Sequence, residues 1–325
     1  MKIACVTHPP GFALNLFKGL KERGHDVRIF SLDDTDPLGI YDKDKICELW
    51  KVFTFSFCRW DILQMDDIFE FNPDIVILWN GYFQRFEKSC SLLKSKFTVL
   101  HVEQAWLPQS ENYYIADDLA PHSKYIMRVP EDFPIDYEAV DNLKNLYKAK
   151  EDNDSLPKRF IFFPGQLDGD TSIIKSSPFY KSCNSLLEDL LRLDLKIPII
   201  VKNHPFDKEQ SRPDGIGVYK GPLTSNDLVS KAVAAVGISS TVLVEALVHK
   251  TPIFSFGYNV AMRSHISGAI NKSEALSNLK FLCEGERPLT TMDSEQTLSW
   301  LLTKQWPHSK PPEQVFRYIE SCNKQ

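Results

Sequence analysis

The stretch Lys2 to Leu32, KIACVTHPPGFALNLFKGLKERGHDVRIFSL, is where the fold becomes legible. Lys2 to Thr7 reads as a short buried strand, and His8-Pro9-Pro10-Gly11 breaks it. Phe12, Leu16 and Leu20 recur at helical spacing up to Arg23, and Gly24 stands where a left-handed residue closes a helix. Asp26 to Leu32 is a second strand. Strand, turn, helix and strand make a βαβ unit, which requires parallel strands and a right-handed crossover. The first turn lacks G-x-G-x-x-G, so the standard dinucleotide fingerprint is absent.

Working outward, Ile75 to Asn80 follows Pro73-Asp74 and is apolar enough for a strand covered on both faces. Phe97 to Glu103 is another strand. From 105 to 157 the sequence is polar and punctuated by proline, with one helical stretch near 137–149. A second series then begins. Strands are predicted at Arg159–Phe163, Ile197–Lys202, Ala232–Ile238 and Pro252–Phe256. Helices are predicted at Leu186–Leu193, Leu223–Lys231, Thr241–His249, Ser294–Leu302 and Glu313–Cys322. The chain has 325 residues, and about 150 residues per domain suggests two domains. The expected architecture is α/β, with Rossmann-like domains at 1–155 and 156–309. The helix near 310–325 is expected to pack back on the first. Trp50, Phe53, Phe55, Phe57 and Trp60 form an aromatic cluster that reads as core, or as an acceptor or interface patch.

Composition narrows the class. Apolar residues make up 43% and charged residues 25%, with a net charge of -5, the profile of a soluble globular protein. A disordered tail, a collagen-like fibre and a small disulfide scaffold are excluded, and the acidic balance argues against a dedicated nucleic-acid binder. The start MKIACVTHPP is too short and polar for a secretory signal, and no run approaches the roughly 18 apolar residues of a membrane span. Seven cysteines (5, 47, 58, 90, 183, 283 and 322) are scattered without C-x-x-C spacing and read as reduced thiols of a cytoplasmic protein. Residues 1–157 carry 18 basic and 26 acidic side chains, residues 158–325 carry 20 and 17. A positive second half would favour an anionic ligand there.

Ligands of open parallel sheets bind outside the carboxyl ends of the strands, so the residues just after each strand are the candidates, facing a cleft between the domains. After Ile238 come Ser239, Ser240 and Thr241, with an apolar helix starting at once. Hydroxyls at a helix N-terminus suit a phosphate, although one of them serves equally as an N-cap. Glu245, a turn into that helix, could accept hydrogen bonds from ribose hydroxyls. The strand ending Val201-Lys202-Asn203-His204-Pro205 delivers a cation and an imidazole, suited to a phosphate or carboxylate. Gln166-Leu167-Asp168-Gly169-Asp170 follows another strand. Its carboxylates read as a metal-binding D-x-D, as turn chemistry, or as a catalytic carboxylate, the reading preferred for Asp170. Glu103 ends a strand of the first domain. Two carboxylates from opposite domains are the pairing sugar chemistry uses.

Five motifs occur in order: E-x-x-W-L-P from Glu103, Q-L-x-x-D-T-S-I from Gln166, K-x-H-P from Lys202, S-S-T-x-x-x-E-A-L from Ser239 and K-T-P-I-x-x-x-G from Lys250. Together they resemble the capsule polysaccharide biosynthesis family, which includes the bacterial retaining β-Kdo transferases of capsule and O-antigen assembly (Kdo is 3-deoxy-D-manno-oct-2-ulosonic acid). The resemblance covers residues 100–260. It implies a GT-B fold: two Rossmann-like domains facing across a cleft, acceptor on the first and CMP-sugar on the second. It further implies Kdo transfer from CMP-β-Kdo to a surface glycan of capsule, O-antigen or lipopolysaccharide, with retention. Asp170 then matches the family carboxylate proposed as nucleophile, with Asp168 as its competitor. Glu103 assists the acceptor hydroxyl. His204, Ser239, Ser240 and Thr241 serve the CMP phosphate, and Lys202 the Kdo carboxylate. Gln166 and Glu245 join the donor site. No metal or other cofactor is implied. The acceptor is expected to be lipid-linked, the enzyme peripheral at the inner membrane, and the short chain to make one linkage.

The H-P and S-S elements also resemble bacterial sialyltransferases, so an inverting CMP-nonulosonate transferase is the first alternative. A UDP-sugar enzyme of GT-B form and a nucleotide-sugar-binding protein without turnover are the others.

Overall fold

The computed structural model describes residues 1–7, 14–31, 54–57, 65–80, 87–150, 156–207, 211–261, 266–285 and 294–323. The His8–Gly11 turn, Gly81 and the aromatic residues Trp50, Phe53 and Trp60 lie outside them, as do the side chains of Phe55 and Phe57. The chain divides into two compact units, Met1–Tyr125 with Lys304–Gln325, and Ile126–Thr303.

In the first unit β1 (Lys2–Thr7), α1 (Leu14–Glu22) and β2 (Asp26–Ser31) form the βαβ unit read from the sequence. The strands pair in parallel, with Cys5 opposite Ile29. Gly24 closes α1 with φ +83°. There follow β3 (Thr54–Phe57), α2 (Asp66–Phe71), β4 (Ile75–Trp79), α3 (Glu87–Lys96), β5 (Thr98–Gln104) and β6 (Asn112–Ala116). The sheet runs β6-β5-β4-β1-β2-β3, parallel except where β6 turns back against β5. β1 is buried on both faces. Ile3 and Cys5 enter one core with Leu16, Phe17 and Leu20 of α1. Ala4 and Val6 enter the other with Ile68, Phe71, Cys90 and Leu93 from α2 and α3.

The second unit contains α4 (Tyr137–Leu146), β7 (Ile161–Pro164), α5 (Thr171–Ser176), α6 (Cys183–Arg192), β8 (Ile199–Lys202) and β9 (Gly217–Val218). α7 (Ser225–Lys231), β10 (Ala234–Gly237), α8 (Val242–Val248), β11 (Ile253–Ser255), β12 (Ile266–Ser267), α9 (Lys272–Glu284) and α10 (Ser294–Leu302) complete it. Its sheet is parallel throughout, in the order β12-β11-β10-β7-β8-β9. The core packs Ile161, Phe163, Val201 and Val236 against Leu186, Leu187, Leu190 and Leu279.

The chain then returns to the first unit. β13 (Trp306–Pro307) adds to the sheet antiparallel to β6, and α11 (Glu313–Cys322) buries Val315, Phe316 and Ile319 in the core that holds α1. Arg23 of the α1 end pairs with Glu313 and Glu320, and His25 with Glu320.

The division after Tyr125 differs from the boundary drawn near 155. The segment between is sewn to the second unit by long-range partners. Asp136 N donates to Ser299 Oγ at 3.0 Å, Lys144 pairs with Glu295 at 2.9 Å, and Lys150 N donates to Asp227 at 2.7 Å. Composition along the chain cannot register partners so distant in sequence. The corrected boundary also removes the charge asymmetry: the units carry 18 basic and 20 acidic, and 20 basic and 23 acidic side chains. The positive second half was a product of where the line fell.

The α1–α11 contact turns on Gly19. A Cβ there would stand 2.8 Å from Phe316 Cε1 and closer still to Cζ. Helix propensity alone would make Gly19→Ala stabilising by about 1 kcal/mol, whereas overpacking costs about 1–3 kcal/mol. The clash should win, so Gly19→Ala lowers unfolding free energy in urea by about 1 kcal/mol. In the Phe316→Leu background the same substitution should be neutral or stabilising. A stabilised single variant would contradict this packing.

Candidate functional site

All strands of the second sheet are parallel, so their carboxyl ends share one edge. From β7 the chain passes through α5 and α6 to β8 on one side, and from β10 through α8 to β11 on the other. The neighbouring pair β7 and β10 is therefore the topological switch point, where open α/β sheets take their ligands. Gln166 and Ser239 stand at these two strand ends. Gln166 is buried. Its Oε1 accepts the Ser239 N–H at 3.0 Å, and its Nε2 donates to Ser239 Oγ at 3.4 Å and Ser172 Oγ at 3.2 Å.

The loop after β7 is also held from behind by α6. Cys183, the first residue of that helix, accepts the Gln166 N–H at Sγ (3.3 Å) and turns the thiol to the Gln166 carbonyl (3.5 Å). Burial raises that thiol to about 11, so it packs and bonds as a neutral group. Asp168 Oδ1 accepts the Cys183 N–H at 2.8 Å. Asp170 is the N-cap of α5, accepting the Ser172 N–H at 2.9 Å, and is exposed. The two carboxylates of D-x-D thus serve two different helices. The local pattern showed turn chemistry and missed the Asp170 cap, because α5 spans only six residues.

At the end of β8, Lys202 is half-buried. Its ammonium donates to the Leu223 carbonyl and lies 5.8 Å from the centre of the Tyr219 ring. Burial lowers its pKa, with Asp227 opposing. His204 Nδ1 accepts the Phe206 N–H at 3.2 Å, and the turn closes with Asp207 N on the His204 carbonyl at 2.9 Å. Arg212, which sequence reasoning passed over, is buried beneath this turn and bonded to Asn203, Asn184 and Asp207. No motif marks it; its partners lie in the His204 turn and in α6.

After β10, the hydroxyls divide. Ser240 is buried and caps α8, taking the Val242 N–H at 3.3 Å on Oγ and the Leu243 N–H at 3.0 Å on its carbonyl. Ser239 is held by Gln166. Thr241 begins the helix and makes no side-chain cap. α8 has only seven residues, so its dipole offers a phosphate little beyond the loop's own groups. One turn on, Glu245 is largely buried, and its carboxylate has no hydrogen-bond partner among the described residues. Burial pushes it up to about 7.

In the first unit, Glu103 lies in β5. Its Oε2 accepts from Asn80 Nδ2 at 2.7 Å and its Oε1 from the Gln104 N–H at 3.0 Å. Asn80 is itself buried, with φ +53°, and its carbonyl faces His101 Nδ1 at 2.7 Å. Asn80 follows β4 and neighbours the switch point of that sheet, between β4 and β1. The structure thus gathers Gln166, Asp168, Asp170, Ser239 and Ser240 at one strand edge, places Lys202 at the end of the adjoining strand with His204 in the turn after it, and sets Glu103 in the other unit.

No protein-family model matches this sequence, and no curated protein matches it. Among solved structures the chain is similar to the KpsC β-Kdo 2,7 transferase of Thermosulfurimonas dismutans. The TM-score is 0.59 at 14% identity, covering 94% of this chain and 92% of that one. It is also similar to the β-Kdo 2,4 transferase of the same organism's KpsC, with TM-score 0.52 at 13% identity, covering 85% and 93%. These likenesses establish the fold class, α/β of GT-B type with two Rossmann-like domains.

Glu245 gives this site a pH signature. Its folded value near 7 lies above the ordinary 4.5, so the folded chain holds a proton that the unfolded chain releases. Stability from this group is therefore complete below the ordinary value and is lost as pH rises through 7. Urea denaturation at pH 5 and pH 8 should show a smaller drop for Glu245→Gln than for the wild type. The difference is up to about 3 kcal/mol. Parallel profiles would contradict the burial argument.

Proposed function

We propose that this chain is a glycosyltransferase that moves Kdo from CMP-β-Kdo to a bacterial surface glycan with retention of configuration. The observation that carries this reading is the convergence of three motifs. Q-L-x-x-D, K-x-H-P and S-S-T occupy the carboxyl ends of the neighbouring strands β7, β8 and β10, and Gln166 bonds two of them together. The fold shared with the KpsC β-Kdo transferases supports it.

In this reading the nucleotide lies over the switch point. CMP departs as a phosphate monoester, so its new charge calls for hydrogen-bond donors. His204 supplies one from Nε2, since Nδ1 is occupied by the Phe206 N–H; Ser239 and Thr241 supply hydroxyls. The proposal assigns no metal. Retention at one carbon follows most simply from two inversions. An Asp170 carboxylate oxygen attacks the anomeric carbon as the bond to the CMP phosphate breaks. An acceptor hydroxyl then attacks that carbon, loses its proton to Glu103 and frees the Asp170 carboxylate. Asp170 is preferred over Asp168 because it stands where the resembling family has its proposed nucleophile; each of the two accepts one backbone N–H. A role for Lys202 on the Kdo carboxylate requires exchanging the Leu223 carbonyl for that ligand. Glu245, which burial makes titrate near neutral pH, is assigned to the ribose hydroxyls.

The acceptor is proposed to be lipid-linked, with the enzyme in the cytoplasm at the inner membrane. Among the described residues no helix is long and apolar enough to cross a membrane.

Incubation with CMP-Kdo generated in situ and a glycan acceptor should release CMP without added metal. Asp170→Ala should lower transfer by at least about 1,000-fold, the scale of losing a nucleophile, while still binding CMP. Intact-mass measurement of donor-soaked enzyme should find one added Kdo on Asp170. Mass added on neither Asp170 nor Asp168 would sink the covalent route. Turnover of CMP-sialic acid but not CMP-Kdo would move the assignment to the inverting alternative.

A further inference from the structure

We propose that Arg212 is the positioning residue of the His204 turn: one buried guanidinium pins both ends of that turn and so presents His204 as an Nε2–H donor. The inference rests on the role given to His204 above, but its structural half stands apart from that role.

The guanidinium side chain is only 6% exposed and reaches three acceptors on two segments, the His204 turn and α6. Nε donates to Asn203 Oδ1 at 2.9 Å, immediately before His204. Nη2 donates to Asp207 at 2.6 Å, where the turn ends. Nη1 donates to Asn184 Oδ1 at 3.0 Å, in the first turn of α6. The planar fork of arginine fixes the angles between these bonds, which a lysine ammonium cannot do. Residues 203 and 207 are thereby held at a set separation, with His204 between them.

Two further observations show that the arrangement is imposed. A guanidinium accepts nothing, so the Asn203 amide must turn its oxygen toward Arg212. The cost is visible: Asn203 Nδ2 is buried with no hydrogen-bond partner among the described residues, a condition tolerated only when other contacts over-determine the side chain. Gly165 completes the cradle. A Cβ at that position would stand 3.1 Å from Asn203 Cα and 3.3 Å from Arg212 Nη2, and the Gly165 N–H bonds the Lys202 carbonyl at 2.9 Å. The same α6 turn that holds Gln166 through Cys183 thus holds His204 through Asn184 and Arg212.

Inside the pinned turn, the Phe206 N–H points at His204 Nδ1. A neutral imidazole that accepts at Nδ1 carries its proton at Nε2. If the turn is released, this bond loosens and the two tautomers mix.

The test uses the full chain labelled with ¹⁵N-histidine, with the His204 signals assigned by loss in His204→Gln. The wild type should show the Nε2–H tautomer. Arg212→Lys, which keeps the charge but not the fork, should keep its melting transition and show averaged ring nitrogens. CMP release from CMP-Kdo should fall about 100-fold, chiefly in kcat, the scale of a small misplacement of a reacting group. Asn203→Ala, which releases one end of the turn and leaves the Arg212–Asp207 pair, gives a second readout if Arg212→Lys fails to fold. A folded Arg212→Lys with the wild-type tautomer would overturn the proposal, and so would an averaged tautomer with undiminished CMP release. If the wild type itself releases no CMP while the tautomer still averages in the variant, the positioning stands and the Kdo assignment falls.

Discussion

A primary amide offers an acceptor and two donors, and Gln166 uses both kinds across the switch point of a parallel sheet. Strands that run parallel must deliver all their following loops to one edge. Where the crossovers diverge, nothing in the sheet itself holds those loops together. The Gln166 side chain supplies that link, from the end of β7 to the backbone and hydroxyl after β10. The Gln166 backbone is in turn held by the Cys183 thiol, and the Asp168 carboxylate ties the same loop to the first N–H of that helix, α6. Remove this amide, and a Ser239 N–H loses its acceptor, with a cost of about 1–3 kcal/mol if the group stays buried. Its direct partners are Ser239 and, through the same amide, Ser172 in the helix that Asp170 caps.

The sheet scaffold was legible because its signals are local. β1, α1 and β2 announce themselves by periodicity and by Gly24, and the limits of α10 and α11 coincide with those read from the sequence. The strand-end motifs followed from the same logic, since a parallel sheet puts its chemistry after its strands. What failed was whatever depends on partners far away. The unit boundary moved by some thirty residues because Asp136, Lys144 and Lys150 find their partners in α10 and α7. With it went the charge asymmetry. β12 and β13, two residues each, carry no periodicity to detect. The thirteen-residue helix α9 was missed although Asn271 caps it and Gly285 closes it with φ +99°. Its buried stripe of Ala275, Leu279 and Cys283 is narrow and weakly apolar.

Within the site, local pattern named the residues but not their obligations. Ser240 and Asp170 each cap a helix, Asp168 takes the first N–H of a third, and Lys202 is committed to a carbonyl twenty-one residues on. Arg212 had no motif to announce it. Its significance is purely geometric: a fork of N–H donors with acceptors at both ends of one turn and on α6. The side chains with chemistry to spare are accordingly fewer than the motifs suggested. Among them, Asp170 Oδ2, His204 Nε2 and the Glu245 carboxylate have no hydrogen-bond partner among the described residues.

The central claim is that the loops joined by Gln166 form a site for a cytidine nucleotide. Equilibrium titration of the intact protein with CMP, UDP and GDP tests it most directly, with a melting curve at each saturation, since binding to the folded state raises stability by mass action. The account predicts preferential binding of CMP, weakened about tenfold in a folded Gln166→Ala, the scale of one lost hydrogen bond. Preference for UDP or GDP, or CMP affinity untouched by the loss of Gln166, would contradict it.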